Sequence, residues 1–342
     1  MFRASIEHRL RIAWRRRGLL ACLLWPSSLL FGALAALRRA AYRRGWVRAA
    51  RLPVPVIVVG NVVAGGAGKT PTTLVIALHL KARGWRPGII SRGYGRSSDD
   101  CREVTPEANP RAVGDEPLLL RRRADVPVFV ARRRADAGRA LVGAYPDTDV
   151  LVCDDGLQHL ALARDVEIVV FDAGGAGNGW LLPAGPLRQP WPRPADLVLQ
   201  TEAAAVPLAL PPGTPLYEAR RALAPEASRA DGTRVPLTAL RGQPLAAVAA
   251  IARPDAFFAM LRALGLTLAD TEGLSDHASF DDWRRLPDRN KTLICTEKDA
   301  LKLWRHRPDA LAVPLTLQVP AAFFAALEEA LRARGYHPGN RS

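Results

Sequence analysis

The chain has 342 residues, of which 49% are hydrophobic and 24% are charged, and its 48 Lys and Arg against 33 Asp and Glu give a formal net charge of +15. The length exceeds that of one ordinary compact core and predicts two domains, while the composition excludes long disordered regions. The excess of positive charge favours a negatively charged partner, such as a phosphate group or an anionic membrane surface.

An apolar segment near the N-terminus predicts contact with a membrane. Residues 19–37 carry no charge, and arginines flank them at positions 15–17, 38–39 and 43–44. The segment could just span a bilayer, but Pro26 and two serines interrupt it and both of its ends are basic. We therefore expect residues 1–50 to form a helix or helical hairpin lying in the membrane interface. A cleaved signal peptide and a buried structural helix are the alternatives.

Residues 51–206 show the alternation of strands and helices that is typical of a doubly wound parallel sheet. Residues 56–59 are apolar and β-branched, as in a buried parallel strand, and a glycine-rich turn follows them directly. Helices are predicted over residues 70–80 and 132–144. Further strands are predicted over residues 88–91, 126–130, 150–153, 166–171 and 197–200.

The remainder of the chain predicts a hinge and a smaller α/β domain. Residues 207–244 are rich in proline and lack helical periodicity, which indicates a connection with short antiparallel strands. Residues 245–342 then form the second domain, with strands over 246–251 and 292–296 and helices over 254–264 and 321–334.

A phosphate-binding loop is predicted at residues 65–70, which read G-G-A-G-K-T between a strand and a helix. Small residues let backbone N–H groups approach a triphosphate, and the helix N-terminus favours negative charge. Lys69 would contact the β- and γ-phosphates of ATP, and Thr70 would bind Mg²⁺. The strict pattern has glycine where this chain has Val63, so we predict a variant loop in which the nucleotide contacts come from Val63, Ala64, Gly65, Gly66, Ala67, Gly68, Lys69 and Thr70.

Two carboxylates provide the second half of the predicted metal site. Residues 150–153 are an apolar strand that ends at Asp154 and Asp155. P-loop proteins use a carboxylate in this position to hold the Mg²⁺ shell.

Transfer of a phosphate from ATP to a hydroxyl group requires a side chain that takes the proton of that hydroxyl. Two acidic sequences in predicted loops supply candidates, Asp115–Glu116 and Asp276–His277. Cations for an anionic acceptor are available in S-R-G-Y-G-R at residues 91–96, after the second strand, and at Arg188 after a glycine- and proline-rich loop.

Taken together, these motifs resemble the tetraacyldisaccharide 4'-kinase family over nearly the full length. The motifs that carry the resemblance are Gly60–Asn61, residues 65–71, 91–96 and 114–117, D-D-G-L-Q-H at 154–159, residues 178–188, Asp276–His277 and T-E-K-D-A at 296–300. The chain departs from the family pattern at Ala278, where a second histidine is common, and at residues 250–254, which read A-I-A-R-P in place of a more glycine-rich sequence.

The resemblance implies an α/β fold in which a P-loop domain with a doubly wound, mainly parallel sheet joins a second, smaller α/β domain and an N-terminal membrane-associated helix. It implies an ATP- and Mg²⁺-dependent kinase that phosphorylates a disaccharide lipid at the cytoplasmic face of the bacterial inner membrane. By resemblance, Asp115 is the base, His277 is its partner and Lys69 is catalytic. The implied substrate residues are Asn61, Arg92, Tyr94, Glu116, Gln158, His159 and Arg188.

The sequence has features of two other classes of protein. A regulatory P-loop NTPase that inserts metals or sorts proteins is the alternative, although such proteins usually carry lysine where this chain has Ala64. The other is a membrane-bound nucleic-acid or scaffold protein that uses the net charge of +15. Nucleic acid is not expected as a partner, because only 6% of residues are aromatic and no base-stacking motif interleaves with the arginines.

Overall fold

Two large β-sheets with their helices, a two-stranded sheet and an N-terminal helix make up the part of the chain that the computed structural model describes. That part comprises residues 14, 16–204, 206–251, 253–275, 278, 280 and 291–339. Asp276 and His277, on which one sequence prediction depends, lie outside these residues.

The first sheet has eight strands in the order β3-β4-β2-β5-β1-β6-β7-β8, and they are parallel except where β3 pairs with β4. The strands are β1 (Val56–Gly60), β2 (Pro87–Ser91), β3 (Arg102–Glu103), β4 (Val128–Val130), β5 (Val150–Asp154), β6 (Val166–Phe171), β7 (Leu197–Gln200) and β8 (Leu216–Glu218). The doubly wound, mainly parallel sheet predicted from the sequence is therefore confirmed.

Helices cover both faces of this sheet, so its central strands are buried on both sides. The first-domain helices are α2 (Lys69–Ala82), α3 (Pro110–Val113), α4 (Asp115–Ala124) and α5 (Arg134–Ala144). Side chains alternate between the faces of a strand. Accordingly, Ile57 and Val59 of β1 pack in the core on the α2 face, whereas Val56 and Val58 pack in a second core with Leu141 of α5.

The second sheet has six strands in the order β11-β10-β15-β14-β12-β13. They are β10 (Glu226–Ser228), β11 (Arg234–Pro236), β12 (Pro244–Ala249), β13 (Thr267–Gly273), β14 (Thr292–Thr296) and β15 (Leu311–Val313), with helices α6 (Pro254–Ala263) and α7 (Glu297–Leu303) and a 3₁₀ helix at Leu237–Leu240. Strands β12 to β15 pair in parallel, and β10 and β11 add an antiparallel edge.

Two connections join the sheets. Strand β9 (Arg220–Leu223) pairs antiparallel with β16 (Leu315–Gln318) in a two-stranded sheet. The predicted hinge thus contributes to all three sheets, because β8 extends the first sheet while β10 and β11 belong to the second.

The last helix, α8 (Ala321–Arg332), corrects one domain prediction. The sequence placed residues 321–342 in the second domain, but Phe323, Leu327 and Leu331 are fully buried in the core of the first sheet. On the same helix, Glu328 accepts a hydrogen bond of 2.9 Å from His79 of α2. The helix returns to the first domain because its apolar face covers part of that sheet that α2 leaves open.

Helix α1 (Leu19–Arg43) is long and apolar enough to cross a membrane, with a mean hydropathy of 1.9 over its most apolar window, of which 11% is buried. Residues 19–43 form one helix with Pro26 inside it, so the chain does not turn at Pro26 to form a helical hairpin within these residues. One proline removes one backbone hydrogen bond, which a helix of 25 residues tolerates.

Candidate active site

The predicted phosphate loop leaves the carboxyl end of β1 and enters α2 at Lys69. Gly65 has φ of +125° and Gly68, immediately before the helix, has φ of +87°. These conformations favour glycine, and a Cβ on Gly68 would also crowd the side chains of Arg221 and Thr201. The backbone N–H groups of the first turn of α2 have no partners within the helix, so they are suited to bind an anion.

The packing of Val63 explains why this loop has valine where the strict pattern has glycine. It forms an antiparallel bridge with Leu187, and the N–H of Ala64 donates a 2.8 Å hydrogen bond to the carbonyl of Pro186. Val63 also packs against the core on the α5 face of the sheet. A side chain at this position is therefore held by the loop at residues 178–188, and the variant loop does not need glycine there.

Sheet topology places the two aspartates beside the phosphate loop. Strand β5 pairs in parallel with β1, and Asp154 is in register with Val59. Asp154 is buried, and Thr73 of α2 donates a 2.9 Å hydrogen bond to its Oδ1. Burial, followed by the charges of Glu116 and Asp155, raises the pKa of Asp154 to about 7.

Asp155 is the point on which two cations converge. Its Oδ1 lies 3.7 Å from Nζ of Lys69 and 3.8 Å from Nη1 of Arg188. Its backbone has φ of +49°, and its carbonyl accepts a 3.0 Å hydrogen bond from Arg134. The structure therefore brings together three of the residues predicted to bind phosphate or metal.

The predicted base lies at the first residue of α4 and is buried. Nζ of Lys302, on α7 of the second domain, lies 2.7 Å from Oδ2 of Asp115. The neighbouring Glu116 lies 3.7 Å from Nζ of Lys298 on the same helix. The second domain therefore reaches the candidate catalytic carboxylate through Lys302, which the sequence analysis did not select, and reaches the neighbouring Glu116 through Lys298 of the T-E-K-D-A motif.

The motif at residues 91–96 packs directly on this carboxylate's helix. A Cβ built on Gly114 would lie 3.2 Å from Cα of Gly93 and 3.2 Å from the carbonyl oxygen of Tyr94. This close approach requires glycine at both positions and leaves Tyr94 and Arg92 exposed near Asp115. Both side chains are exposed, and the backbone that carries them packs against the N-terminus of α4.

Asn61 and Gln158 lie together behind the phosphate loop. Gln158 donates a 2.7 Å hydrogen bond to the carbonyl of Asn61, and the Asn61 amide donates one of 3.3 Å to the carbonyl of Gly65. In the described part of the chain, the buried Oδ1 of Asn61 has no hydrogen-bond partner. Their observed role is to brace the loop, and contact with an acceptor stays a prediction.

His159 occupies a strongly positive environment. Burial, followed by the charges of Arg134, Arg164, Arg38 and Arg133, lowers its pKa to about 4. The ring is therefore neutral at physiological pH. A neutral imidazole can accept a hydrogen bond at one nitrogen and donate one from the other.

A cavity of about 640 Å³ lies between the phosphate loop and the second domain. Lys69 and Thr70 line one side, Glu116 and Leu119 of α4 lie next to them, and Phe257 and Met260 of α6 close the other side. Cavities of this size that combine apolar walls with a few polar groups are typical of small-molecule sites.

The domain junction contains an ion network that sequence reasoning missed. Glu202 lies 2.7 Å from Nη1 of Arg221 and forms a close ion pair with Arg253 of the second domain. Burial raises the pKa of Glu202, but the hydrogen bond from Arg253 and the charge of Arg221 outweigh that effect, so its pKa lies below the ordinary value. The position of Glu202 just after β7, at the carboxyl edge of the sheet, was the available signal.

Arg221 links this network to the phosphate loop. It donates a 3.1 Å hydrogen bond to Oγ1 of Thr201, and that hydroxyl lies 3.1 Å from the carbonyl of Ala67. A Cβ on Gly68 would lie 2.9 Å from Nη2 of Arg221. The loop is thus supported on this side by Thr201 and Arg221.

Comparison with known proteins identifies the relatives of this chain. The profile of the family described as tetraacyldisaccharide-1-P 4'-kinase matches residues 20–333. Proteins named tetraacyldisaccharide 4'-kinase from Acidovorax sp. (strain JS42) and Delftia acidovorans are 61% and 56% identical, over 96% and 95% of this chain and 96% and 95% of their own lengths. LpxK from Aquifex aeolicus, solved as an "apo" form in complex with ATP, has a TM-score of 0.81 and 28% identity, and the match covers 93% of this chain and 100% of that one.

These matches confirm the family resemblance and the kinase class predicted from the motifs, and they do not favour the regulatory NTPase alternative. A profile match over most of the chain and relatives of more than 50% identity leave no large segment of the fold unaccounted for. The chain belongs to the tetraacyldisaccharide-1-P 4'-kinase family.

Proposed function

We propose that this chain transfers the γ-phosphate of ATP to the 4'-hydroxyl of a tetraacyldisaccharide 1-phosphate lipid. The observation that carries the proposal is the convergence of three elements on one cleft. Lys69 and Glu116 line it, Asp155 lies 3.7 Å from Lys69 and follows Asp154 at the end of β5, and Asp115 precedes Glu116 at the start of α4. Kinases act mainly by positioning and charge neutralisation, which this arrangement of cations, carboxylates and helix N-terminus can supply.

The nucleotide site consists of the loop at residues 63–70 and the adjoining cavity. The phosphates would meet the backbone N–H groups of the loop and Nζ of Lys69. The apolar walls at Leu119, Phe257 and Met260 would take the base. The ATP complex of the Aquifex aeolicus relative supports this use of the cleft.

The residues present fit a Mg²⁺ ion. Thr70, Asp154 and Asp155 offer the oxygen ligands that Mg²⁺ prefers, and Oδ1 of Asp155 is buried without a hydrogen-bond partner among the described residues. In the part of the chain that the structure describes, no cluster of three or more His, Cys, Asp and Glu could hold a metal by itself. Such a sparse set matches an ion held partly by substrate phosphates, and the bound ion neutralises charge on them.

Proton removal from the acceptor falls to Asp115. As the lipid hydroxyl oxygen forms its bond to the γ-phosphorus, the bond from that phosphorus to the β–γ bridging oxygen breaks and ADP leaves. The hydroxyl proton passes to the Asp115 carboxylate. Lys69 and Arg188, which both lie near Asp155, would balance the charge on the transferred group. We assign His277 as the partner of Asp115 from the sequence motif.

The acceptor side is formed by the remaining motif residues. Glu116 adjoins Asp115, and the backbone of the segment that carries Arg92 and Tyr94 packs against Gly114. Asn61 and Gln158 support the phosphate loop at Gly65, and His159 follows Gln158. Exposed Arg92 suits the phosphate that the lipid already carries. Neutral His159 suits a hydroxyl or carbonyl group.

Membrane contact is assigned to α1. Leu23, Leu30, Leu34 and Leu37 are each more than half exposed, although they are large and apolar. Contiguous exposed apolar surface marks a membrane or protein contact. We propose that α1 lies on the cytoplasmic face of the bacterial inner membrane, with residues 51–206 as the kinase domain, 207–244 as the connection and 245–320 as the smaller domain.

The direct test is transfer of labelled γ-phosphate from ATP to a monophosphorylated tetraacyldisaccharide lipid in detergent, with Mg²⁺ and after its removal. Mg²⁺-dependent labelling of the lipid is the expected result. Hydrolysis of ATP without any labelled lipid would overturn the proposal and favour the regulatory NTPase.

A further inference from the structure

Helix α1 contacts the rest of the protein through an unusual residue. Most of the helix is exposed, and its buried residues are Ala21 and Ser28. Ser28 is 3% exposed, whereas the preceding Ser27 is exposed. A buried serine on a membrane-facing helix needs hydrogen-bond partners. The carbonyl of Leu24 in the same helix lies 3.5 Å from the Ser28 hydroxyl, and its two shorter hydrogen bonds are to residues outside the helix.

Ser28 bridges two backbone groups of the loop at residues 178–188. Its hydroxyl donates a 2.8 Å hydrogen bond to the carbonyl of Leu181 and accepts one of 2.9 Å from the N–H of Ala184. Ala184 is fully buried, so Ser28 is the group that satisfies its N–H.

Further contacts fix the same loop to the start of α1. Trp14 donates a 2.9 Å hydrogen bond to the carbonyl of Pro183, and its own carbonyl accepts one of 2.8 Å from Asn178. The guanidinium of Arg17 lies 5.1 Å from the centre of the Trp180 ring, and Trp25 packs against the same ring. One end of the loop is thus tied to the membrane helix.

The other end of the loop holds the phosphate loop. Pro186 accepts the hydrogen bond from Ala64, Leu187 pairs with Val63, and the N–H of Arg188 donates a 2.7 Å hydrogen bond to the carbonyl of Val62. Internal bonds from Leu182 to Leu187 and from Gly185 to Leu181 keep the two ends at a fixed separation.

We propose that Ser28 is a positioning residue for the nucleotide loop, acting from the membrane helix through residues 181–188. The proposal rests on the proposed nucleotide site. The proposal goes beyond membrane anchoring, because it makes the affinity for ATP depend on how α1 packs against the loop at residues 178–188. Loss of the Ser28 hydroxyl would leave the Ala184 N–H and the Leu181 carbonyl without this partner, and residues 186–188, which pair with Val62 to Ala64, would shift.

The test measures labelled ATP binding to the full chain in detergent with no lipid acceptor present. We expect Ser28→Ala to weaken ATP binding about tenfold, while Ser27→Ala matches the wild type. In turnover, KM for ATP should rise and KM for the lipid should change much less. Unchanged ATP affinity with a raised KM for the lipid would overturn the proposal and leave Ser28 as part of a lipid contact only.

A second variant tests the proposal independently in case Ser28→Ala does not fold. A Cβ on Gly32 would lie 2.8 Å from Cδ1 of Leu181, so Gly32→Val should displace the same loop from the helix side. It should also weaken ATP binding, while cooperative thermal unfolding and vesicle binding are retained. Normal ATP affinity in this variant would count against the proposal. If Lys69→Ala leaves ATP binding intact, the proposed nucleotide site itself fails.

Discussion

Nζ of Lys302 in the second domain lies 2.7 Å from Oδ2 of Asp115 in the first, so the candidate base is held by an ion pair that crosses the cleft. Lys302 also lies 3.5 Å from the carbonyl of Ala278, next to the segment that carries His277. The orientation of the base therefore depends on how the two domains dock.

We expect Lys302→Gln to lower kcat by about tenfold because the Asp115 carboxylate loses its orienting partner. ATP affinity should stay within about twofold of wild type, since Lys302 does not line the nucleotide cavity. Steady-state kinetics and equilibrium ATP binding would measure the two effects. Lys291→Gln, which removes a lysine paired with Asp270 instead, is the matched control. A wild-type kcat for Lys302→Gln would contradict this role.

Lys69→Ala should abolish measurable ATP binding and lower turnover by more than about 100-fold, because Lys69 is the cation directed at the phosphates. Lys81→Ala changes a lysine in the last turn of the same helix, where it contacts Asp125 and the carbonyl of Ala124. That control should retain ATP binding. If both variants bind ATP equally, the phosphate site has been placed incorrectly.

His159 predicts a pH dependence of stability. Its pKa is about 4 in the folded chain and close to 6.5 when unfolded, so the unfolded state binds more protons between these values. Stability from this group is therefore lost as pH falls from about 6.5 to about 4. His159→Gln removes the effect, and its melting temperature relative to wild type should be higher at pH 5 than at pH 8. His337→Gln, at an exposed site, should show no such difference.

Substitution of exposed leucines on α1 should release the protein from lipid vesicles. Leu30 and Leu34 are 64% and 59% exposed and lie one turn apart. Leu30→Glu with Leu34→Glu places two charges on the apolar face, and we expect the vesicle-bound fraction to fall at least about tenfold. Leu78→Glu, on a helix of the kinase domain, should bind like wild type. Retained binding of the double variant would indicate that the arginine-rich surface holds the protein.

Much of the fold was predictable because local pattern determines it. The run from Val56 to Gly60 is uniformly apolar, and G-G-A-G-K-T follows it, so a buried parallel strand and a phosphate loop were both expected. The placement of Asp154 beside the loop followed from the same logic, since parallel strands present their carboxyl ends at one edge.

Features that depend on long-range docking were not predictable in this way. The spacing of apolar residues in α8 predicts an amphipathic helix but does not indicate which sheet the helix covers. The helix packs on the first sheet. Similarly, the local sequence does not predict the ion pairs of Lys302 and Arg253, because these come from the approach of the second domain to Asp115 and Glu202. Ser28 was interpreted as a helix interruption, and its contact with residues 181–184 lies more than 150 positions away in sequence.

The most direct measurement is transfer of labelled γ-phosphate to the lipid by Asp115→Asn, compared with Asp125→Asn at the other end of the same helix. The account predicts that Asp115→Asn binds ATP normally but transfers phosphate at least about 100-fold more slowly, that His277→Ala is also strongly impaired, and that Asp125→Asn matches wild type. Wild-type transfer by Asp115→Asn would contradict the assignment of the base and, with it, the proposed arrangement of the acceptor in the cleft.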